Sequence, residues 1–103
     1  MYDLKRYDEA LASYDRALVL RPDYAEALCN RGVVLQALKR YDEALASYER
    51  ALALRPDIAE VHSNHGNVLK ALKRFDEALA SYDRALALRP DYAEAHSLSL
   101  IHI

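Results

Sequence analysis

Residues 41–57 read YDEALASYERALALRPD, and the chain repeats this stretch twice more. Residues 7–23 read YDEALASYDRALVLRPD, and residues 75–91 read FDEALASYDRALALRPD. Successive copies begin 34 residues apart, at Tyr7, Tyr41 and Phe75. A fixed period of this size marks an array of stacked units, so period rather than any single motif decides the fold.

Within the first copy, Tyr7, Ala10, Leu11, Tyr14, Ala17 and Leu18 have the spacing of one face of an amphipathic helix. Asp8 and Glu9 fall in its first turn and Arg21 in its last, each on the favoured end of the helix dipole. Pro22 ends it, because the residue before a proline resists the α conformation. Asp23 with Glu26 has the spacing of a capping box, as do Asp57 with Glu60 and Asp91 with Glu94, so each copy opens a second helix. The first of these is expected from about Tyr24 to Leu38 and the next from about Ile58 to Leu72. The unit is helix, short turn, helix, short turn, and turns this short force antiparallel packing. Gly32 and Gly66 fall inside these second helices, where glycine costs roughly 1 kcal/mol against alanine. A bulky neighbour that must approach the backbone explains them, and Tyr48 and Tyr82 are the expected occupants. Ala44, Ala51, Ala78 and Ala85 allow the same approach from the other side.

Composition narrows the class. The 103 residues are 52% hydrophobic and 29% charged, with two glycines, no tryptophan and a net charge of -2, a helix-favouring mixture that gives no bulk attraction to nucleic acid or anionic lipid. Cys29 is the single cysteine, so no internal disulfide is available. No apolar run reaches the ~20 residues of a membrane span, and no signal peptide is visible, so a soluble, cytoplasmic protein is expected.

The order Leu28, Gly32, Leu35, Ala44, Tyr48, Ala51, Pro56 resembles the tetratricopeptide repeat over nearly the whole chain. The resemblance implies an all-α, right-handed helix-turn-helix solenoid of about six antiparallel helices. In its register, residues 1–24 are the second helix of a truncated repeat, 25–58 and 59–92 are full repeats, and 93–103 begin a further first helix. The sequence departs from the family at three places. Lys39-Arg40 and Lys73-Arg74 fill the turn that usually holds glycine, and Arg31 and His65 replace a frequent leucine. The end, HSLSLIHI over 96–103, puts Leu100 at the helical glycine's position.

The resemblance also implies a concave groove, lined by the first helix of each repeat, that holds a peptide or a partner's helix. Mapped here, the groove takes Glu26, Cys29, Asn30, Val33, Gln36 and Ala37 from one repeat. Glu60, Ser63, Asn64, Asn67, Lys70 and Ala71 come from the next. Asn30, Val33, Gln36, Asn64, Asn67 and Lys70 are the candidate binding residues. Asn30 and Asn64 lie one period apart, and an amide that both donates and accepts can pair with any extended backbone. The pair resembles the asparagine ladder in the repeat superhelix of O-GlcNAc transferases; the plainer reading is two solvated surface amides. Chaperone-binding repeats, which clamp a C-terminal carboxylate with basic residues, have Glu26, Glu60, Cys29 and Ser63 at the corresponding positions here, a poor fit. His62 and His65 are spaced to share a metal, but packing explains them better, and no metal or other cofactor is expected. No nucleophile–base–acid constellation or phosphate loop is present, so the chain is expected not to be an enzyme. The basic pairs at 5–6, 39–40 and 73–74 read as a solvated edge, with an acidic partner as the alternative.

The ends carry a separate expectation. Leu11, Tyr14 and Leu18 would be exposed on the first helix, and Leu98, Leu100, Ile101 and Ile103 on the last segment. Bare apolar faces of this kind favour association into a homo-oligomer, head-to-tail or two-fold. Covering neighbours in a longer array would serve equally well. Three functions therefore follow in order: a non-catalytic protein-interaction scaffold; part of the substrate-recognition array of a larger enzyme such as a glycosyltransferase; and a self-assembling structural protein.

Overall fold

The computed structural model describes residues 4–89, with side chains from Arg6 onward. Five helices follow one another: α1 (Leu4–Leu20), α2 (Ala25–Ala37), α3 (Tyr41–Leu54), α4 (Ala59–Ala71) and α5 (Phe75–Leu88). There is no strand among the described residues. The expected sixth helix over 93–103, with Leu98, Leu100, Ile101 and Ile103, lies outside them. The helices pack in chain order, α2 most extensively on α3 and α4 on α5, with α1 on α2 and α3 on α4 joining the repeats.

The stops are those the sequence predicts, and their geometry shows how. Arg55, which precedes Pro56, leaves the helix at φ -139°, ψ 89°, and Arg89 does the same before Pro90. The glycine-free turns keep the left-handed geometry, because Lys39 and Lys73 adopt φ 61° and 63°. Around Lys39 the backbone makes a paired 5→2 and 6→1 closure, Lys39 N–H to Gln36 O at 3.0 Å and Arg40 N–H to Leu35 O at 2.9 Å. Lys73 and Arg74 repeat it on Lys70 and Leu69. Hydrogen bonding and tight helix packing hold an L residue where glycine would cost less.

The starts correct the capping-box reading. Tyr24 and Ile58, not Asp23 and Asp57, sit at the N-cap positions, and neither α2 nor α4 has a side-chain cap bond. That places Glu26 and Glu60 at the second helical residue instead of the third, too early to reach back to the cap. They still favour the positive helix end. The side-chain pairing at helix starts occurs instead on α3 and α5, where the N-cap guanidiniums of Arg40 and Arg74 fork onto Glu43 and Glu77. These contacts hold both carboxyls below the usual range, although all four groups are solvent-facing. The first helix also differs from its later copies. Leu4-Lys5-Arg6 is helical, whereas the same triplet at 38–40 and 72–74 forms the turn.

The core runs along the stack as one cluster, with Leu28, Leu35, Val68, Tyr48 and Tyr82 fully buried. The glycines explain how closely the helices meet. A Cβ built on Gly32 would stand 2.5 Å from Tyr48 Cε1, and one on Gly66 2.7 Å from Tyr82 Cε1. Ala44, Ala51 and Ala85 are 0% exposed beside these rings. Leu11 corrects an expectation: it is 8% exposed, inside the same cluster, because α2 already covers that side of α1. Tyr14 and Leu18 are half-buried against the cluster, and among the described side chains the large exposed apolar residues of α1 are Val19 and Leu20.

Candidate functional site: the face of α2 and α4

The two first helices, α2 and α4, are held in register by a device that repeats with the sequence. Arg31, on α2, donates from Nε to Asp15 of α1 at 2.8 Å and from a terminal nitrogen to Ser47 of α3 at 2.6 Å. His65, its equivalent on α4, places Nε2 3.4 Å from Glu49 of α3 and Nδ1 2.8 Å from Ser81 of α5. Each therefore links its own second helix to that of the preceding repeat. Ser47 and Ser81 are buried, so these contacts satisfy hydroxyls that would otherwise lack a partner. Burial holds the His65 imidazole below its ordinary pKa, opposed by Glu49. His62 faces elsewhere: it is buried, with Nε2–H donated to the Pro56 carbonyl at 2.8 Å. The two histidines thus have separate protein partners.

Between α2 and α4 lie two adjoining depressions that share Val33 and Asn64. The larger, about 430 Å³, is lined by Gln36, Ala37, Tyr41, Asn67 and Ala71 beside the shared pair. The other, about 320 Å³, adds Asn30, Cys29 and Val61, with Glu26, Glu60 and Arg55 around it. Five of the six candidate residues, Asn30, Val33, Gln36, Asn64 and Asn67, are brought together here. Lys70 lines neither depression and is exposed. Ser63, also assigned to the groove, is fully buried, and its Oγ has no hydrogen-bond partner among the described residues. Arg55, Ile58, Tyr41 and Val61 complete the lining and were missed: the first three come from the turn after α3 and the start of α3, and Val61 is a buried residue of α4. Their signal was positional: Arg55 ends a helix just where two repeats meet.

The amides are not equivalent. Tyr48 donates its hydroxyl to Gln36 Oε1 at 2.8 Å, and Tyr82 donates to Asn67 Oδ1 at 2.6 Å. Burial pushes the Tyr48 phenol far above its ordinary pKa, so it stays a donor. With one lone pair of each oxygen engaged, Gln36 and Asn67 offer the groove their N–H groups and a single remaining acceptor position. Asn30 is exposed and Asn64 half-buried, and neither is tied in this way. Burial also pushes the Cys29 thiol up and so keeps it protonated at neutral pH, against the opposing effect of Arg55.

A family model for the tetratricopeptide repeat matches residues 25–58, and a second, for the TPR repeat, matches 1–39 and 66–98. The chain belongs to the tetratricopeptide repeat family. Its right-handed solenoid is that of solved tetratricopeptide structures. The first TPR of Spaghetti (RPAP3), bound to HSP90 peptide SRMEEVD, is 28% identical with a TM-score of 0.89 over 92% of this chain and 75% of that one. MamA is 24% identical with a TM-score of 0.88, over 96% of this chain and 62% of its own. The Arabidopsis OM64 TPR domain is 24% identical with a TM-score of 0.88, over 92% and 78%. At this identity the last two share the fold alone. No curated protein sequence matches the chain. Among the described residues, no helix is long and apolar enough to cross a membrane.

Proposed function

We propose that this tetratricopeptide array is a non-catalytic, cytoplasmic protein-interaction scaffold that holds an extended peptide across α2 and α4. We divide it as 1–24, 25–58, 59–92 and 93–103, with the two complete repeats supplying the groove. The observation that carries the reading is that Asn30, Val33, Gln36, Asn64 and Asn67 line two adjoining depressions that share Val33 and Asn64. Asn30 and Asn64 lie one period apart, on equivalent positions of α2 and α4, so both amides can pair with the backbone of one peptide laid across the two helices. The Spaghetti repeat, which holds a peptide on the same fold, supports the partner class. A carboxylate-terminated ligand is disfavoured here, because Glu26 and Glu60 stand exposed at the rim. The test is a displayed-peptide selection followed by calorimetry. Asn30→Ala with Asn64→Ala is expected to weaken the selected peptide about tenfold or more, and backbone N-methylation to weaken it again. Unchanged affinity in both would remove these asparagines from the site.

Self-association is a second reading, favoured by Val19 and Leu20 of α1, which are 80% and 82% exposed. Tyr14 and Leu18 lie half-buried on the other side of α1, and Leu98, Leu100, Ile101 and Ile103 are the sequence candidates at the other end. Light scattering across concentration tests it: a constant monomer mass at high concentration excludes it.

A further inference from the structure

The two halves of the α2–α4 groove differ in charge and in hydrogen-bonding sense. The half beside the helix starts has Glu26, Glu60 and Arg55 around it. The half beside Tyr41, about 430 Å³, has no charged residue in its lining among the described residues. Its apolar surface is Val33, 48% exposed, with Ala37 and Ala71, and the Tyr41 ring forms a wall. Ala37 and Ala71 are equivalent residues one period apart, and their short side chains leave room between α2 and α4 for a ring-sized group.

The amides over that surface are oriented from below. Tyr48 and Tyr82, both 0% exposed, donate to the side-chain oxygens of Gln36 and Asn67 at 2.8 and 2.6 Å. Burial holds the Tyr48 phenol far above its ordinary pKa, so its bond keeps that direction. Each pinned amide brings two N–H donors to this half and keeps one lone pair. Donors therefore outnumber free acceptors on Gln36 and Asn67, and a peptide unit lying over them fits best with a carbonyl to offer and no N–H to satisfy. Proline alone has that backbone: its nitrogen carries no proton, and the carbonyl before it accepts. Its ring is apolar and packs against an aromatic face, and its fixed φ lowers the cost of ordering the segment.

We propose that the Tyr41 half of the groove is a pocket for a proline of the bound segment, with its ring between Tyr41 and Val33 and the preceding carbonyl facing the amides of Gln36 and Asn67. The proposal rests on the groove reading and names the residue that the groove selects at this end. Leucine would cover the same apolar surface but bring an N–H to a place short of acceptors. A charged side chain would find no counter-ion in the lining.

The test is an NMR titration of the full, isotope-labelled chain with two end-capped peptides, hexaproline and hexaalanine. Hexaproline is expected to shift the Val33, Ala37, Tyr41 and Ala71 resonances, to saturate below about 1 mM and to bind at least about tenfold more tightly than hexaalanine. Tyr41→Ala, which removes the wall, and Ala71→Leu, which fills the space, are each expected to weaken hexaproline by about tenfold or more. Equal affinity of the two peptides overturns the proposal. So do shifts centred outside this half, no saturable shift up to about 1 mM, or full affinity in folded Tyr41→Ala. The peptide comparison on the unaltered chain stands even if a variant fails to fold. Failure of the groove reading shows separately, as selected peptides indifferent to Asn30→Ala with Asn64→Ala. Failure of the proline pocket alone shows as selected peptides that depend on those asparagines yet bind as well with every proline replaced by alanine.

Discussion

Gly32→Ala sets two opposing effects against each other, and the structure says which wins. Alanine inside a helix gains about 1 kcal/mol over glycine. The new methyl would stand 2.5, 2.7 and 2.9 Å from Cε1, Cδ1 and Cζ of Tyr48, where carbon contacts want about 3.5–4.0 Å. One of the two must move by about 1 Å. Tyr48 has little room, being 0% exposed and tied through its hydroxyl to Gln36. Overpacking of this kind costs about 1–3 kcal/mol, and displacing the ring adds about 1 kcal/mol for the lost hydroxyl bond. The net expectation is a destabilisation of about 1–3 kcal/mol, read as a lower urea midpoint. Gly66→Ala meets Tyr82 at 2.7, 2.9 and 3.1 Å and should cost less, with the same sign. A cycle isolates the cause. In a Tyr48→Leu background the ring is gone, so Gly32→Ala should become neutral or stabilising, giving a coupling of about 2 kcal/mol. If Gly32→Ala raises stability with Tyr48 present, or if the cycle adds to within about 0.5 kcal/mol, the close-approach argument is wrong.

Lys39→Gly should raise the urea midpoint by the equivalent of about 1 kcal/mol, because φ 61° costs lysine and not glycine; a loss would mean the lysine side chain holds the turn. Arg31→Ala strands the Ser47 hydroxyl and should cost about 1–3 kcal/mol by the same assay. Arg31→His, which copies the next repeat, should cost less, and equal losses would show that the bond to Ser47 contributes nothing. The depressed pKa of His65 means that the unfolded chain binds more protons under mild acid, so stability should fall as pH drops through and below about 6.5. Glu49 opposes the fall, while His62 and Arg74 reinforce it. Relative to His65→Gln, the wild-type midpoint should drop between about pH 7.5 and 5.5, and a rise would refute the sign.

Most of the fold was legible because it is written three times. Pro22 and Pro56 announce helix ends by a local backbone rule, and Gly32 with Tyr48 announces close packing by an otherwise unfavourable residue. The capping box failed by one residue, since Asp23-Tyr24 and Asp57-Ile58 each offer two positions for the helix to begin and packing chose the second. Leu11 was misplaced because the first helix was read as lacking a cover, whereas α2 already packs over the side of α1 that carries it. The links from Arg31 to Asp15 and Ser47, each 16 residues away, are not periodic in one helix, so the sequence showed only that leucine was missing.

The candidate site was legible as a face but not as a set of donors and acceptors. The two repeats differ at 33 and 67, Val against Asn, and at 36 and 70, Gln against Lys. Aligned by position, these look like unrelated surface changes. In space, the amide has moved by three residues along the helix, and the buried tyrosine hydroxyl has found it in both places. A phenol buried this deeply needs an acceptor, so one amide per repeat is fixed by the core and is not free to vary with the ligand. On the proposed groove reading, this divides the face. Gln36 and Asn67 can donate to a peptide carbonyl but keep only one lone pair to accept a peptide N–H, whereas Asn30 and Asn64 keep both. Blocking peptide N–H groups one at a time by methylation should therefore hurt unevenly. It should weaken binding more where the backbone lies over Asn30 or Asn64 than over Gln36 or Asn67. Uniform sensitivity would mean that the tyrosines do not fix the amides while ligand is bound.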